Sequence, residues 1–232
     1  MLVSAASRAL SQMLSPPFRS VLVKSLALTV GLLVAAWFAL EALVSGFLLP
    51  FLGPWPWLST AVAFLFGAGL VVGAGFLIAP VASVFAGLFL DDVADEVERV
   101  HYGPAHVGRA LPLGRSIAIA VRFLGLVVVA NLVALVLFFA LGLGVVVFFV
   151  ANGYLLGREY FQFAALRHMG ECEADDLRHR HGGAIFAGGM LVAGFLAIPI
   201  VNLATPLFAA ALMVHVFHRV RGAEPVPAPM RP

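Results

Sequence analysis

Asn202 lies between Pro199 and Pro206 in the middle of a run, 182–218, that holds no Asp, Glu, Lys or Arg. A primary amide offers both donors and acceptors and carries no charge, so its chemistry there is that of binding. Polar groups inside apolar runs are costly to keep and count as functional candidates. Two readings stand: Asn202 lines a path for a polar solute, or its amide caps the helix that the prolines break. Asn131 and Asn152 stand in the preceding apolar run, and for Asn152, at its exit, an interfacial cap is the plain alternative. Phe18 and Arg19 follow Pro17 at the opening of the first long run. Free amides at a helix N terminus with one guanidinium suit a tetrahedral oxyanion. An arginine just outside a span is equally an ordinary topology marker.

Between residues 152 and 167, Leu155, Leu156, Phe163 and Leu166 make one apolar side, and Arg158, Glu159, Gln162 and Arg167 make the other. That pattern fits an interfacial helix with an internal ion pair, or a polar vestibule to a conduction path. His168, Cys172, His179 and His181 lack the tighter spacing of zinc sites, so no metal is expected. The acidic stretch 171–176 reads as a solvated face. No nucleotide-binding loop, Ser-His-Asp set or paired zinc motif is present, so no enzyme and no cofactor are expected.

These residues need elements that only a bilayer explains. Hydrophobic residues make up 62% of the chain and charged ones 11%. With a mean hydropathy of +1.04, this is the composition of an integral membrane protein. The net charge of +2 reports cytoplasmic Lys and Arg, and no nucleic-acid partner is indicated. The single cysteine excludes an intramolecular disulfide. The first apolar run is too long for a signal-peptide core, so a retained N terminus is expected.

The elements follow from charge and periodicity. Residues 1–24 read as an interfacial segment with Leu10, Met13, Leu14 and Phe18 at helical spacing. Residues 25–122 read as a long helical hairpin. Its turn holds Trp55 and Trp57, and its second arm continues into water with Val93, Val97 and Val100 on one side and Asp91, Asp92, Asp95, Glu96, Glu98 and Arg99 between them. Gly69 and Gly73 form a small-xxx-small step suited to close helix packing. Run 182–218 is too long for one crossing of the roughly 30 Å core and too short for two crossings and a turn. All 14 basic residues fall on one face only if it and run 123–157 both turn back. The expected fold is therefore all-α: two long transmembrane helices, two re-entrant (hemi-penetrating) hairpins and amphipathic interfacial helices in a single membrane domain, 1–232. Residues 158–181 are cytoplasmic or interfacial, and 219–232 are a disordered tail. The turn of run 123–157 falls near Gly142-Leu-Gly144, with one long tilted helix as the alternative.

The stretch Ile198-Pro-Ile-Val-Asn-Leu-Ala-Thr-Pro-Leu-Phe-Ala-Ala-Ala211 resembles the Pro-x-x-Asn-Leu-x-x-Pro element of the CysZ-type sulfate permease family. Tyr154-Leu-Leu-Gly-Arg-Glu-Tyr160 is similar to that family's Trp-Leu-Leu-x-x-Gln-Tyr element. Ile78-Ala-Pro80 with Val97-Glu98 looks like the close of its second long helix, and Pro17-Phe-Arg19 stands where the family carries Gly-Leu-Arg. The resemblance spans nearly the whole chain in order. It implies the same two helices and two hairpins, assembly as a homo-oligomer, and a sulfate site near Arg19. Three departures touch the anion path: Lys24 replaces a characteristic proline, no asparagine follows it in the first helix, and Glu159 replaces a glutamine. An acid there repels a dianion unless Arg158 or another base neutralises it.

The function expected is that of a bacterial inner-membrane permease or channel-like protein for sulfate or a related small anion, multi-pass, with basic loops and both termini cytoplasmic. Phe18 and Arg19 meet the anion; Asn131, Asn152, Arg158, Glu159, Tyr160 and Asn202 line its path. The alternative is a non-transporting membrane scaffold or assembly factor on the same framework.

Overall fold

The computed structural model describes residues 2–51, 54–110, 112, 114, 144–198 and 201–222, and every regular element among them is a helix. Three helical stretches are long and apolar enough to cross a membrane: Pro16–Leu48, Pro56–Gly75 and Val201–Gly222. The all-α membrane architecture expected from the sequence is therefore present. The chain divides into two compact units, Ser20–Leu88 and the described parts of Met1–Arg19 with Phe89–Pro232.

In the first unit, α2 (Pro16–Leu43) widens into a π turn at Val44–Leu48. Pro50 follows, and a proline inside a helix removes an amide donor and crowds the carbonyl four residues back, which accounts for the local widening. Ser25 and Thr29, polar side chains within this span, donate to the carbonyls of Val21 and Ser25 at 2.9 and 2.7 Å, so neither hydroxyl is left bare in an apolar medium. Trp55, just before α3 (Pro56–Gly87), and Trp57, in its first turn, are exposed. Leu32, Phe38, Phe64, Leu65 and Val71 are also exposed, an apolar surface that suits lipid. The second arm does not run straight on into water as the sequence suggests: α3 ends at Gly87, and α4 (Leu90–His101) starts after a break at Leu88-Phe89. The small-xxx-small step of Gly69 and Gly73 meets nothing among the described residues.

The second unit is built around α8 (Thr205–Gly222), buried from Thr205 to Phe217. Against it pack α1 (Leu2–Met13), α4, α5 (Gly144–Leu166) and α7 (Gly182–Leu196), with the short α6 (Glu171–Arg180) between α5 and α7. Leu10 and Leu14, read from the sequence as part of an interfacial helix, are exposed, and α1 buries Ala5, Ala9 and Gln12. In lipid, small residues let helices approach while large apolar ones face the tails.

Run 182–218 folds as a helical hairpin. Phe195 stacks on Phe208 at 4.3 Å, and Gly188 faces Met213 and Val216, so α7 and α8 are antiparallel. α7 ends at Leu196, and a 3₁₀ turn, Val201–Ala204, precedes α8; Pro206 sits in the first turn of α8, where a missing amide costs nothing. For run 123–157, residues 115–143 lie outside the described residues, Asn131 and the Gly142 turn among them; from Gly144 a single helix continues through the charged residues to Leu166.

The closest helix contact is α5 on α7. Gly153 and Gly157, one turn apart, meet Gly189 so closely that a Cβ on Gly189 would overlap Gly153 O and stand 2.7 Å from Gly157 N. Backbone cannot yield as a flexible side chain does. Gly189→Ala should therefore cost about 1–3 kcal/mol or more of stability in detergent, whereas Gly69→Ala, with open space around it, should leave melting unchanged or raise it slightly. Equal melting of the two variants would contradict this packing.

Candidate functional site

The most concentrated chemistry lies where α4, the end of α5 and α8 meet. In α4, acidic Asp91 and Asp92 in the first turn and Arg99 and His101 in the last suit the helix dipole. Its buried stripe is Val93, Ala94, Val97 and Glu98, and Val100 is exposed. Glu98, read from sequence as a solvent-facing charge, is fully buried. Arg167, read as part of a polar face, is buried too, and its guanidinium reaches Asp91, Asp95 and Glu98. Gly108 N–H donates to Glu98 Oε2 at 2.7 Å, and His168 Nε2 stands 2.7 Å from Glu98 Oε1. Gly108 must be small, because a Cβ there would meet Arg167 Cβ at 2.7 Å and His168 Nε2 at 2.9 Å.

Burial alone would raise the pKa of Glu98. The facing His168 and His218, the Gly108 amide and Arg167 together reverse that and hold it well below the usual carboxylate range. For Asp91 burial wins and the shift is upward, against the pull of Arg167. Around this pair gather five of the seven histidines. His218 stacks on the Tyr102 ring at 4.0 Å, His168 on Phe217 at 5.0 Å, and His101 and His106 lie beside His215 and His218. The Tyr102 hydroxyl bonds His215 Nδ1 at 2.9 Å. The cluster draws on four separate segments, so no local spacing announced it. One signal was present: His215 and His218, three residues apart, stand inside an otherwise apolar run.

The residues singled out from sequence are dispersed. Phe18 is buried at the start of α2 and Arg19 is exposed, its N–H bonded to Ser15 O at 3.1 Å. Asn152 donates to Phe148 O, one turn back in α5, at 2.8 Å. Asn202 is half-buried in the 3₁₀ turn, its own N–H bonded to Ile198 O at 2.8 Å. Its Oδ1, like Thr205 Oγ1, is buried without a hydrogen-bond partner among the described residues. Arg158 lines a cavity of about 150 Å³ with Tyr154, Arg178, His179, Gly182 and Ile185. Arg178 is held there by Asp175 at 3.1 Å, while Arg158 makes no ion pair among the described residues. Glu159 is half-buried, and burial, opposed by Arg158, pushes its pKa up to about 7. Tyr160, next in α5, is half-buried. His179 is at the cavity and Cys172 is exposed, whereas His168 turns inward to Glu98, so the histidines and cysteine weighed together in the sequence do not converge.

A family model described as sulfate transporter CysZ/etoposide-induced protein 2.4 matches residues 5–206. The chain belongs to that family. The match runs from within α1 through α7 and the 3₁₀ turn with Asn202 to the first two residues of α8. No curated protein matches the chain. With its apolar spans, membership makes this a membrane protein of a sulfate transporter family.

Removing one partner of a buried charge network leaves the others uncompensated, at about 3–5 kcal/mol. Arg167→Leu should therefore destabilise the protein by that order, and adding Glu98→Gln to it should recover part of the loss. Additive losses in thermal melts would show that the two groups do not depend on each other.

Proposed function

We propose that this protein is a permease or channel-like protein of the bacterial inner membrane that passes sulfate or a related small anion. The observation that carries the proposal is the tip of the α7–α8 hairpin. There Asn202 Oδ1 and Thr205 Oγ1 are buried in an apolar segment with no hydrogen-bond partner among the described residues. Unpaired polar groups at such a position cost about 1–3 kcal/mol each, and a solute or water that bonds them offsets that cost. The family match supports sulfate as the first anion to test.

In this reading Arg19, with Phe18 beside it, meets the anion. Pro16 and Pro17 have no N–H and the Arg19 amide is already bonded, so the guanidinium would do most of the holding. Arg158 offers a second cation in the cavity beside α6. Asn131, Asn152, Tyr160 and Asn202 supply neutral polar groups along the way. Glu159 at a pKa near 7 is largely neutral in mildly acidic solution, which removes the repulsion a carboxylate would exert on a dianion. Half-depth hairpins cannot conduct alone, so a homo-oligomer completes the path.

The scaffold reading has one observation in its favour. From Leu207 to Val214 every residue of α8 is apolar and buried, so the bundle is closed along its centre. Sulfate uptake by reconstituted vesicles separates the two: uptake above protein-free vesicles is expected, and none at all would leave the scaffold.

Three further outcomes follow. Arg19→Ala should weaken sulfate binding by about ten-fold or more, the scale of a charge-assisted hydrogen bond of roughly 1.5–3 kcal/mol; unchanged calorimetric binding would make Arg19 a topology marker. Asn202→Ala should cut flux with normal assembly and melting, whereas normal flux with lower melting would reduce Asn202 to a cap. Flux should rise as pH falls through about 7, because a buried carboxyl with a raised pKa is charged above that value and neutral below it. Glu159→Gln should flatten that limb, and a pH profile unchanged by the substitution would remove Glu159 from the path.

A further inference from the structure

Glu98, His168 and His218 come from three elements, α4, the turn after α5, and α8, and point three donor atoms at one spot. Glu98 Oε1 stands 2.7 Å from His168 Nε2 and 3.5 Å from His218 Nε2, and all three donors lie within 4.8 Å of one another. Donors bound tetrahedrally at the zinc distances of about 2.0–2.2 Å sit about 3.4 Å apart, so small side-chain rotations bring this set to that spacing. Two nitrogens and one oxygen, with one position left open, is a donor set that zinc and its neighbours accept.

The surroundings are those of a prepared site. The Glu98 and His218 side chains are 0% and 8% exposed, and His218 Nε2 has no hydrogen-bond partner among the described residues. Each imidazole is fixed in orientation by an aromatic face, His218 by Tyr102 and His168 by Phe217. Glu98 is held by its other oxygen: Gly108 N–H and Arg167 both contact Oε2, which leaves Oε1 toward the two rings. Orienting partners of this kind are what fix the ligands of a metal site. Charge points the same way. Asp91, Asp95 and Glu98 face the single guanidinium of Arg167, an excess of negative charge that a divalent cation would reduce.

We propose that Glu98, His168 and His218 form a binding site for one divalent transition-metal ion, with Zn²⁺ the reference ion. Bound there, the ion would tie α4, α8 and the end of α5 together and hold one further ligand in its open position. The site is independent of the anion path proposed above and stands or falls separately.

The test uses the full-length protein purified in detergent, stripped with EDTA and titrated with Zn²⁺ against a chromogenic chelator. About one Zn²⁺ per chain is expected, with a Kd tighter than about 1 µM. His168→Asn and His218→Asn should each weaken binding by about 100-fold or more, since loss of an orienting partner alone costs 10–100-fold. The control variant Cys172→Ser with His181→Asn (the surface variant) should bind as the wild type does, excluding Cys172 and His181 as the source. Because a histidine variant can fail to fold, Co²⁺ bound to the wild type and to the surface variant gives a second readout: both should show the intense visible spectrum of a four-coordinate ion, abolished by Zn²⁺. Wild-type Zn²⁺ binding weaker than about 10 µM, or binding and spectrum lost in the surface variant, would overturn the site.

Discussion

The buried guanidinium of Arg167 constrains everything around it. A cation in an apolar interior is tolerated only when its charge is met and its donors are occupied. Here that requires Asp91, Asp95 and Glu98 on one side of α4, which fixes the rotation of that helix. Once Glu98 is turned inward, its second oxygen has to find partners in turn. It finds His168 beside Arg167 in sequence and His218 on α8, and the loop at Gly108 closes over the rest. The orientation of α4, the end of α5, the chain at 108 and the charged end of α8 are thus consequences of one desolvated charge.

The remainder of that unit is held by a different force. Lipid tails are as apolar as leucine, so helices gain little by hiding large side chains from them and gain more from close contact. Gly153, Gly157 and Gly189 bring α5 and α7 to backbone contact, and the small Ala5 and Ala9 form the buried face of α1. Large residues are left to face outward, Leu10 and Leu14 on α1 and Leu191 on α7 among them. Close packing supplies the adhesion in the apolar part, and electrostatics sets the register at the polar end.

Much of the architecture was legible because it follows from quantities a single segment carries. Span lengths, the antiparallel hairpin at 182–218 and its break around Asn202 came from apolar run length and proline position, and the family from the motifs at 154–160 and 198–211. What escaped was non-local. Glu98 and Arg167 look like surface charges within their own helices, because a period of 3.6 says which residues share a face but not whether a partner waits opposite. The glycine pairs Gly69, Gly73 and Gly153, Gly157 make the same point. Both pairs have helical spacing, and only the second meets a facing glycine among the described residues.

The two polar poles of α8 define what the fold can do. Thr205, with Asn202 just before it, stands at one end, and His215 and His218 at the other, about 20 Å away at the helical rise. Between them the helix is buried and apolar on every side. Nothing hydrated can move along that centre without separating α8 from its neighbours, and the buried Arg167–Glu98 network opposes such separation at the His218 end. The tip, by contrast, holds a short 3₁₀ turn and the stacked Phe195 and Phe208, with no ion pair among the described residues. Movement therefore costs least at the tip and most at the charged end. An anion that reaches Asn202 would have to do so along the outer face of the hairpin, where a second chain can supply the opposite wall.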